Sequence, residues 1–256
     1  MKAVIHATGI AWQKRYLEFF KKGFAKHGIQ SELTSSDRIV PGDIHVLFGP
    51  NYWKNCERGY DNFLQVNRKF LGNVNDNVTI GWNGFNGRGQ FCVDDVPESI
   101  DADVQSMVTL LPWKRTTDPR ALIMGQADLG RCTFWRMLPD WYHDMQRMFN
   151  QNFIFRKWPG DRNLRADVAR AGISVTLNST VAIETLILGH PTAAFDEGSP
   201  VWAVCAPGCN VKLEPPREKL LSYLAMCQYH FTDIECGLFW DQLNPRRGPR
   251  LCDVRF

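Results

Sequence analysis

Residues 171–195, AGISVTLNSTVAIETLILGHPTAAF, constrain the fold more than any other stretch of the chain. Ile173 to Leu177 reads as a buried strand in which Ile, Val and Leu alternate with Ser174 and Thr176, and Asn178, Ser179 and Thr180 follow it as a polar turn. Val181, Ala182, Ile183, Leu186, Ile187 and Leu188 then cover most of a helix spanning 179–188. Gly189 ends that helix, Pro191 follows, and Thr192 to Phe195 makes a second apolar strand. A buried strand, a largely apolar helix and a second buried strand fit a parallel sheet covered on both faces.

The same pattern recurs along the chain. Lys2–His6 reads as a strand, Thr8-Gly9 as a break, and Trp12, Tyr16, Phe19, Phe20 and Phe24 recur at helical spacing until Gly28 stops the helix. Strands follow at 30–33, 44–48, 63–66 and 78–82, and then a glycine-rich loop from Asn83 to Gly89. The proline-flanked stretch 112–119 reads as a connection between lobes, with the boundary near 117. A second series has strands at 121–124, 152–155, 173–177 and 192–195, with helices at 139–149 and 179–188. Helical segments at 216–228 and 232–243 complete it. The expected organisation is α/β, with an N-terminal lobe at 1–117, a second lobe at 118–243 and a basic tail at 244–256.

Composition narrows the class without choosing a function. Over 256 residues, 44% hydrophobic and 22% charged describe a globular chain with a sizeable core, which excludes dominant disorder. A formal charge of +3 permits an anionic partner and does not demand one. Eight cysteines without paired CxxC spacing read as free thiols of a reducing compartment. Cys205 and Cys209 bracket a Pro-Gly turn, with no second pair or His set to complete a zinc site. The N-terminus has no signal-peptide character, and no apolar stretch reaches spanning length, so a cytoplasmic protein without membrane contact is expected. There is no G-x-G-x-x-G after the first strand, no P-loop, no H-E-x-x-H and no G-x-S-x-G.

Chemistry concentrates around the opening segment. Asn178 or Ser179 can cap the following helix, whose free N–H groups favour a phosphate. Thr180 and Glu184 are four apart on one helix face. A carboxylate on so apolar a helix needs partners, which two vicinal ribose hydroxyls or a neighbouring arginine would supply. Arg156, Lys157 and Arg162 flank a strand-end Pro-Gly turn and can meet a diphosphate.

The unit Ser179, Thr180, Glu184, Leu186, Gly189, Pro191 resembles the S-T/S-x-x-x-E-x-L-x-x-G-x-P nucleotide-sugar segment in the C-terminal lobe of GT-B glycosyltransferases, particularly capsule-polysaccharide-type and epimerase-like members. Phe153–Arg162 is similar to the segment those families carry just upstream, with Trp158 where they have histidine. The loop 125–130, with Gln126 and Asp128, stands where such enzymes contact the donor. The resemblance covers about 120–200. It implies two Rossmann-like lobes with a cleft between them, a nucleotide sugar as co-substrate in the second lobe, and an acceptor with any catalytic base in the first. Neither a cofactor nor a metal is implied, since the helix dipole and Arg156, Lys157 or Arg162 would meet the phosphate charge.

Candidates for the base are Asp94 and Asp95 after the glycine-rich loop, then His6, with Asp43 and His45 behind them. Small GT-B-like chains also look similar to phage-encoded transferases that modify hydroxymethylated bases. That makes DNA the first acceptor to consider, through Arg88, Arg246, Arg247 and Arg250, with Trp53 or Trp82 as wedges. The alternatives are a capsule-like glycan acceptor, a GT-B-fold epimerase, and a non-catalytic nucleotide-sugar-binding module.

Overall fold

The computed structural model describes residues 1–7, 10–35, 40–49, 59–60, 62–72, 76–84, 86–114, 117–126, 138–150, 152–157, 163–205, 214–243 and 248–256. In chain order its first elements are β1 (Lys2–His6), α1 (Ala11–Lys26), β2 (Gln30–Thr34), β3 (Ile44–Phe48), β4 (Phe63–Arg68), β5 (Asn77–Trp82) and α2 (Ala102–Met107). Then come β6 (Ala121–Met124), α3 (Leu138–Met148), β7 (Phe153–Arg156), α4 (Leu164–Ala169), β8 (Ile173–Thr176), α5 (Val181–Ile187) and β9 (Thr192–Ala194). The last are α6 (Arg217–Met226), β10 (Gln228–His230), α7 (Phe231–Cys236) and α8 (Leu238–Leu243). The chain is α/β, with two compact units: Met1–Glu98 with Leu221–Leu251, and Ser99–Leu220 with Cys252–Phe256.

The first unit is a six-stranded sheet in the order β10-β5-β4-β3-β1-β2. β2, β1, β3 and β4 run parallel, β5 is antiparallel to β4, and β10 is antiparallel to β5. Ala3 and Ile5 face a core with Tyr16, Phe20 and Phe24 of α1, positions four apart that make one apolar stripe. Phe239 of α8 meets Phe20 and Phe24 with ring centroids 5.2 and 5.3 Å apart. A Cβ on Gly23 would lie 2.0 Å from the Ile234 carbonyl oxygen, so α1 and α7 approach at a spacing only glycine permits.

The second unit is a four-stranded, all-parallel sheet in the order β7-β6-β8-β9. Ile123 packs on one face with Leu138, Trp141 and Met145 of α3. Leu122 and Met124 pack on the other with Val168 of α4 and, at its margin, Val181 of α5. Period-2 alternation between two covered faces explains why the central β6, Ala121–Met124, is apolar throughout.

The division differs from the expected one in two places. Residues 221–243 belong to the first unit, because β10 pairs with β5 and the rings of α8 fill the first core. Residues 112–114 and 117–119 belong to the second unit. Lys114 N donates to Gly189 O, and Lys114 Nζ donates to the Val168, Ala169 and Ala171 carbonyls at 2.9 to 3.2 Å, where a cation suits the end of α4. Helices α2 and α4, of six residues each, are too short to show a period. Among the described residues no helix is long and apolar enough to cross a membrane.

Candidate functional site

Ligands of open α/β sheets collect beyond the carboxyl ends of the strands, where the strand order reverses. In the second unit that point lies between β6 and β8. Gln126, two residues past β6, and Asn178, two past β8, meet there. Gln126 Nε2 donates to Asn178 Oδ1 at 2.8 Å, and the Asn178 backbone N–H donates to Gln126 Oε1 at 3.0 Å. Asn178 Nδ2 also reaches Asp196 Oδ1 at 3.4 Å, beyond the end of β9. Asp196 is held in turn by the Gly198 N–H at 2.8 Å, and the Tyr142 hydroxyl accepts from the Gln126 backbone N–H at 2.9 Å. Three strand ends thus carry one hydrogen-bonded polar array with its geometry already set.

Arg156, the last residue of β7, donates from Nη1 to Asp167 Oδ2 at 2.5 Å. Asp167 is almost fully buried, so this arginine is anchored from beneath while the rest of its guanidinium keeps donor capacity. Glu184 on α5 reaches solvent, yet enough protein surrounds its carboxyl for desolvation to push its pKa up, with the Arg156 charge opposing. The structure therefore places Arg156 and Glu184 within electrostatic reach of each other, and Lys157 is exposed beside them. The turn into α5 differs in detail from the expected cap. Thr180 occupies the cap position with helical backbone and no capping side chain, and Ser179 Oγ accepts from the Val181 N–H at 3.3 Å. Asn178 does not cap the helix because its amide is spent on Gln126 and Asp196. Asp128, Trp158 and Arg162 lie outside the described residues.

In the first unit the order reverses between β1 and β3, and His6 ends β1 there. His6 Nε2 lies 3.2 Å from His45 Nδ1, and Tyr60 packs on both rings, 5.3 and 4.6 Å from their centroids. Burial lowers the His45 pKa and so favours its neutral imidazole. Asp43 stands at the opposite, amino edge, where its carboxylate accepts from the Lys2 backbone N–H at 2.6 Å. The glycine-rich loop also leaves from the amino edge, since the end of β5 pairs with the start of β4, Trp82 opposite Leu64. Asp94 and Asp95 follow that loop and are exposed, Asp95 with φ 52°. Of the base candidates, only His6 stands at the carboxyl end of its strand at the switch point, with His45 in contact from within β3.

Two supports of the DNA reading are removed by burial. Arg88 is 8% exposed and cannot form a cationic surface loop. Trp82 lies in the first core and donates its indole N–H to Leu243 O, which rules it out as a wedge. Trp53, Arg246 and Arg247 lie outside the described residues. Sequence reasoning missed Asp196, Asp167 and Tyr142. Asp196 had the best available signal, an acid directly after an apolar strand.

No protein-family model matches the sequence. No curated protein matches it either. Among solved structures the chain is similar to Thermosulfurimonas dismutans KpsC, beta Kdo 2,7 transferase, with TM-score 0.51 and 11% identity over 93% of this chain and 99% of that one. The Thermosulfurimonas dismutans KpsC, beta Kdo 2,4 transferase, has TM-score 0.46 and 12% identity over 90% and 92%. At such identity the first likeness is one of fold, and it extends over nearly the whole of both chains.

Proposed function

We propose that the protein transfers a sugar from a nucleotide-activated donor to a hydroxyl of a glycan, using a GT-B arrangement of its two units. The observation that carries this reading is the preset array Gln126–Asn178–Asp196 at the switch point of an all-parallel sheet, followed by a helix bearing Glu184. Fold likeness to a solved sugar transferase supports it. In this reading Glu184 accepts from the ribose hydroxyls, Ser179 and Thr180 border the phosphates, and Arg156 with Lys157 meets their charge. Gln126 and Asn178 present amide edges to the donor. His6 takes the acceptor proton as that oxygen bonds to the anomeric carbon, and the sugar–phosphate bond breaks with its electron pair leaving on the nucleotide. His45 holds the His6 ring in place.

A glycan is preferred over DNA because the described part of the chain offers neither an exposed Arg88 nor a free Trp82 for a duplex. The test is a thermal-shift panel of nucleotide sugars, followed by mass spectrometry of glycan and hydroxymethylated-DNA acceptors. A donor should raise Tm in the wild type and fail to do so in Gln126→Leu. His6→Ala should lower turnover by roughly 10²–10⁴-fold with donor affinity kept. Binding without turnover would make the chain a sensing module, donor consumption without acceptor an epimerase, and transfer to DNA alone would overturn the acceptor assignment.

A further inference from the structure

At the carboxyl edge of its sheet the first unit gathers hydrogen-bond donors that the transfer reading does not use. α1 begins there over the ends of β3 and β4. The Trp12 ring lies 6.5 Å from that of Phe48, and the Arg68 guanidinium carbon lies 5.8 Å from the Trp12 centroid. The N-cap is Ile10, whose side chain makes no capping bond, and no acid stands in the first turn. The Gln13 and Lys14 N–H groups reach Ile10 O, whereas those of Ala11 and Trp12 have no acceptor among the described residues. Free N–H groups at a positive dipole end favour an anion.

Two buried amides are the independent sign of a ligand. Asn67 Nδ2 is fully buried and has no hydrogen-bond partner among the described residues. Gln13 is 3% exposed, and its side-chain amide makes no hydrogen bond with any described residue either. The register that pairs Phe48 with Val66 continues through the Gly49 N–H, which donates to Val66 O at 3.0 Å, and so sets Gly49 opposite Asn67. A Cβ on Gly49 would lie 3.5 Å from Gln13 Nε2. A glycine with φ +91° therefore stands between the two amides, and no side chain fills the space beside it. The Gly49 carbonyl oxygen, which would repel an anion, is taken up by Gln65 Nε2. A buried N–H left unpaired is a cost that an incoming acceptor would relieve.

The charges beside these amides have the same sense. Arg68 is exposed and Lys69 half-buried, and neither forms an ion pair among the described residues. Asp76, the acid that acts on Lys69, is bound by Arg15 at 3.0 Å. We infer that this edge of the first unit binds an oxyanion, the carboxylate or phosphate of a ligand, between the Arg68 guanidinium, the Gln13 and Asn67 amides and the Trp12 N–H. Such a group only accepts, each of these offers a donor, and the planar fork of Arg68 matches two oxygens at once. The site stands whether or not the second unit holds a nucleotide sugar.

The experiment is titration of the full chain with inorganic phosphate, acetate and acetamide, at an ionic strength fixed with chloride and followed by amide NMR. The Trp12 and Gly49 N–H signals and the Gln13 and Asn67 side-chain signals should move together and saturate with phosphate or acetate, and stay still with acetamide. The tighter anion names the group that the ligand carries. Arg68→Gln should weaken binding by about tenfold, and Asn67→Leu by about threefold, the scale of lost charged and neutral hydrogen bonds. Asn67→Leu should do so without lowering Tm, since it removes an unpaired buried amide. Arg156→Ala, in the second unit, should leave these signals as they are, which separates this site from one for donor phosphates. Circular dichroism of each variant distinguishes a lost site from a lost fold. No saturation with either anion, or equal shifts with acetamide, would show that the edge does not recognise charge. Unchanged affinity in folded Arg68→Gln and Asn67→Leu, or loss in Arg156→Ala, would place the anion elsewhere. Any of these results overturns the assignment.

Discussion

Acidification should destabilise the second unit through a single residue, His190. It follows Gly189 in the turn from α5 to β9, is completely buried, and neither ring nitrogen has a well-formed hydrogen-bond partner among the described residues. Desolvation pushes its pKa down to about 4, the Lys114 charge adds to the fall, and the Ile173 backbone opposes it weakly. In the unfolded chain the imidazole titrates near 6.5. The folded pKa lies below the unfolded one, so the unfolded state binds the proton more readily. The stabilisation is fully present above pH 6.5, falls as the pH drops from 6.5 towards about 4, and changes no further below that. At about 1.4 kcal/mol per pH unit across that gap, the loss is about 3.5 kcal/mol, a large part of the 5–15 kcal/mol typical of whole domains. The assay is hydrogen exchange of the β8 and β9 amides at pH 7 and pH 4 in the wild type and in His190→Phe, corrected for intrinsic rates. The phenyl ring keeps the volume and carries no proton. Glu184, whose pKa is raised, stabilises in the opposite direction on acidification, but it is common to both proteins and cancels in the difference. Parallel losses of protection in the two proteins would refute the reasoning, because the proton would then be going somewhere other than His190.

Arg217 is 4% exposed and donates to the Leu186 and Leu111 carbonyls at 2.7 and 2.6 Å, over the Trp113 ring at 4.1 Å. Arg217→Met should cost about 1–3 kcal/mol in denaturant unfolding by removing the buried guanidinium's bonds to both carbonyls, of which Leu186 O keeps only the Gly189 N–H, and an unchanged midpoint would contradict that. Gly189 has φ +68°, and a Cβ there would lie 2.0 Å from the Pro112 carbonyl oxygen, so Gly189→Ala should lower Tm by several degrees and release the 111–114 segment to proteolysis. Ribose hydroxyls bonded to Glu184 would favour its ionised form, so donor affinity should fall as pH drops through the raised pKa of this group. In Glu184→Gln that dependence should vanish and affinity at neutral pH should drop by about 1–3 kcal/mol, measured by titration calorimetry; a pH profile kept in the variant would assign it to another group.

Local periodicity made most elements legible. Tyr16, Phe20 and Phe24 announced α1, and the apolar runs at 44–48 and 121–124 match β3 and β6 in both position and length. β10 was not legible, because Gln228, Tyr229 and His230 have no strand pattern of their own. They become a strand only because β5 offers a free edge, a tertiary circumstance with no trace in three residues. The placement of 221–243 fails for the same reason. Phe239 and Trp240 are as apolar as any second-lobe residue would be, and only their packing on Phe20 and Phe24 tells which core they fill.

The candidate site was legible along the chain and hidden across the sheet. A polar residue just past a buried parallel strand lies at the ligand edge wherever that strand sits in the sheet, and this is why Gln126, Asn178, Ser179 and Arg156 could be named without a structure. Which of them touch depends on strand order. In the order β7-β6-β8-β9, β8 lies against β6, so the Gln126 and Asn178 amides interlock across 52 residues of sequence, and Asp196 joins them from β9. Exchange β6 and β7 and the same four strands would bury the same apolar faces, with Arg156 beside Asn178 and Gln126 at the margin. Burial alone does not choose between these orders, since either covers both faces of the sheet. The Gln126–Asn178 pair exists in only one of them, so the contact that marks the site is also one that distinguishes the observed topology from its nearest rival.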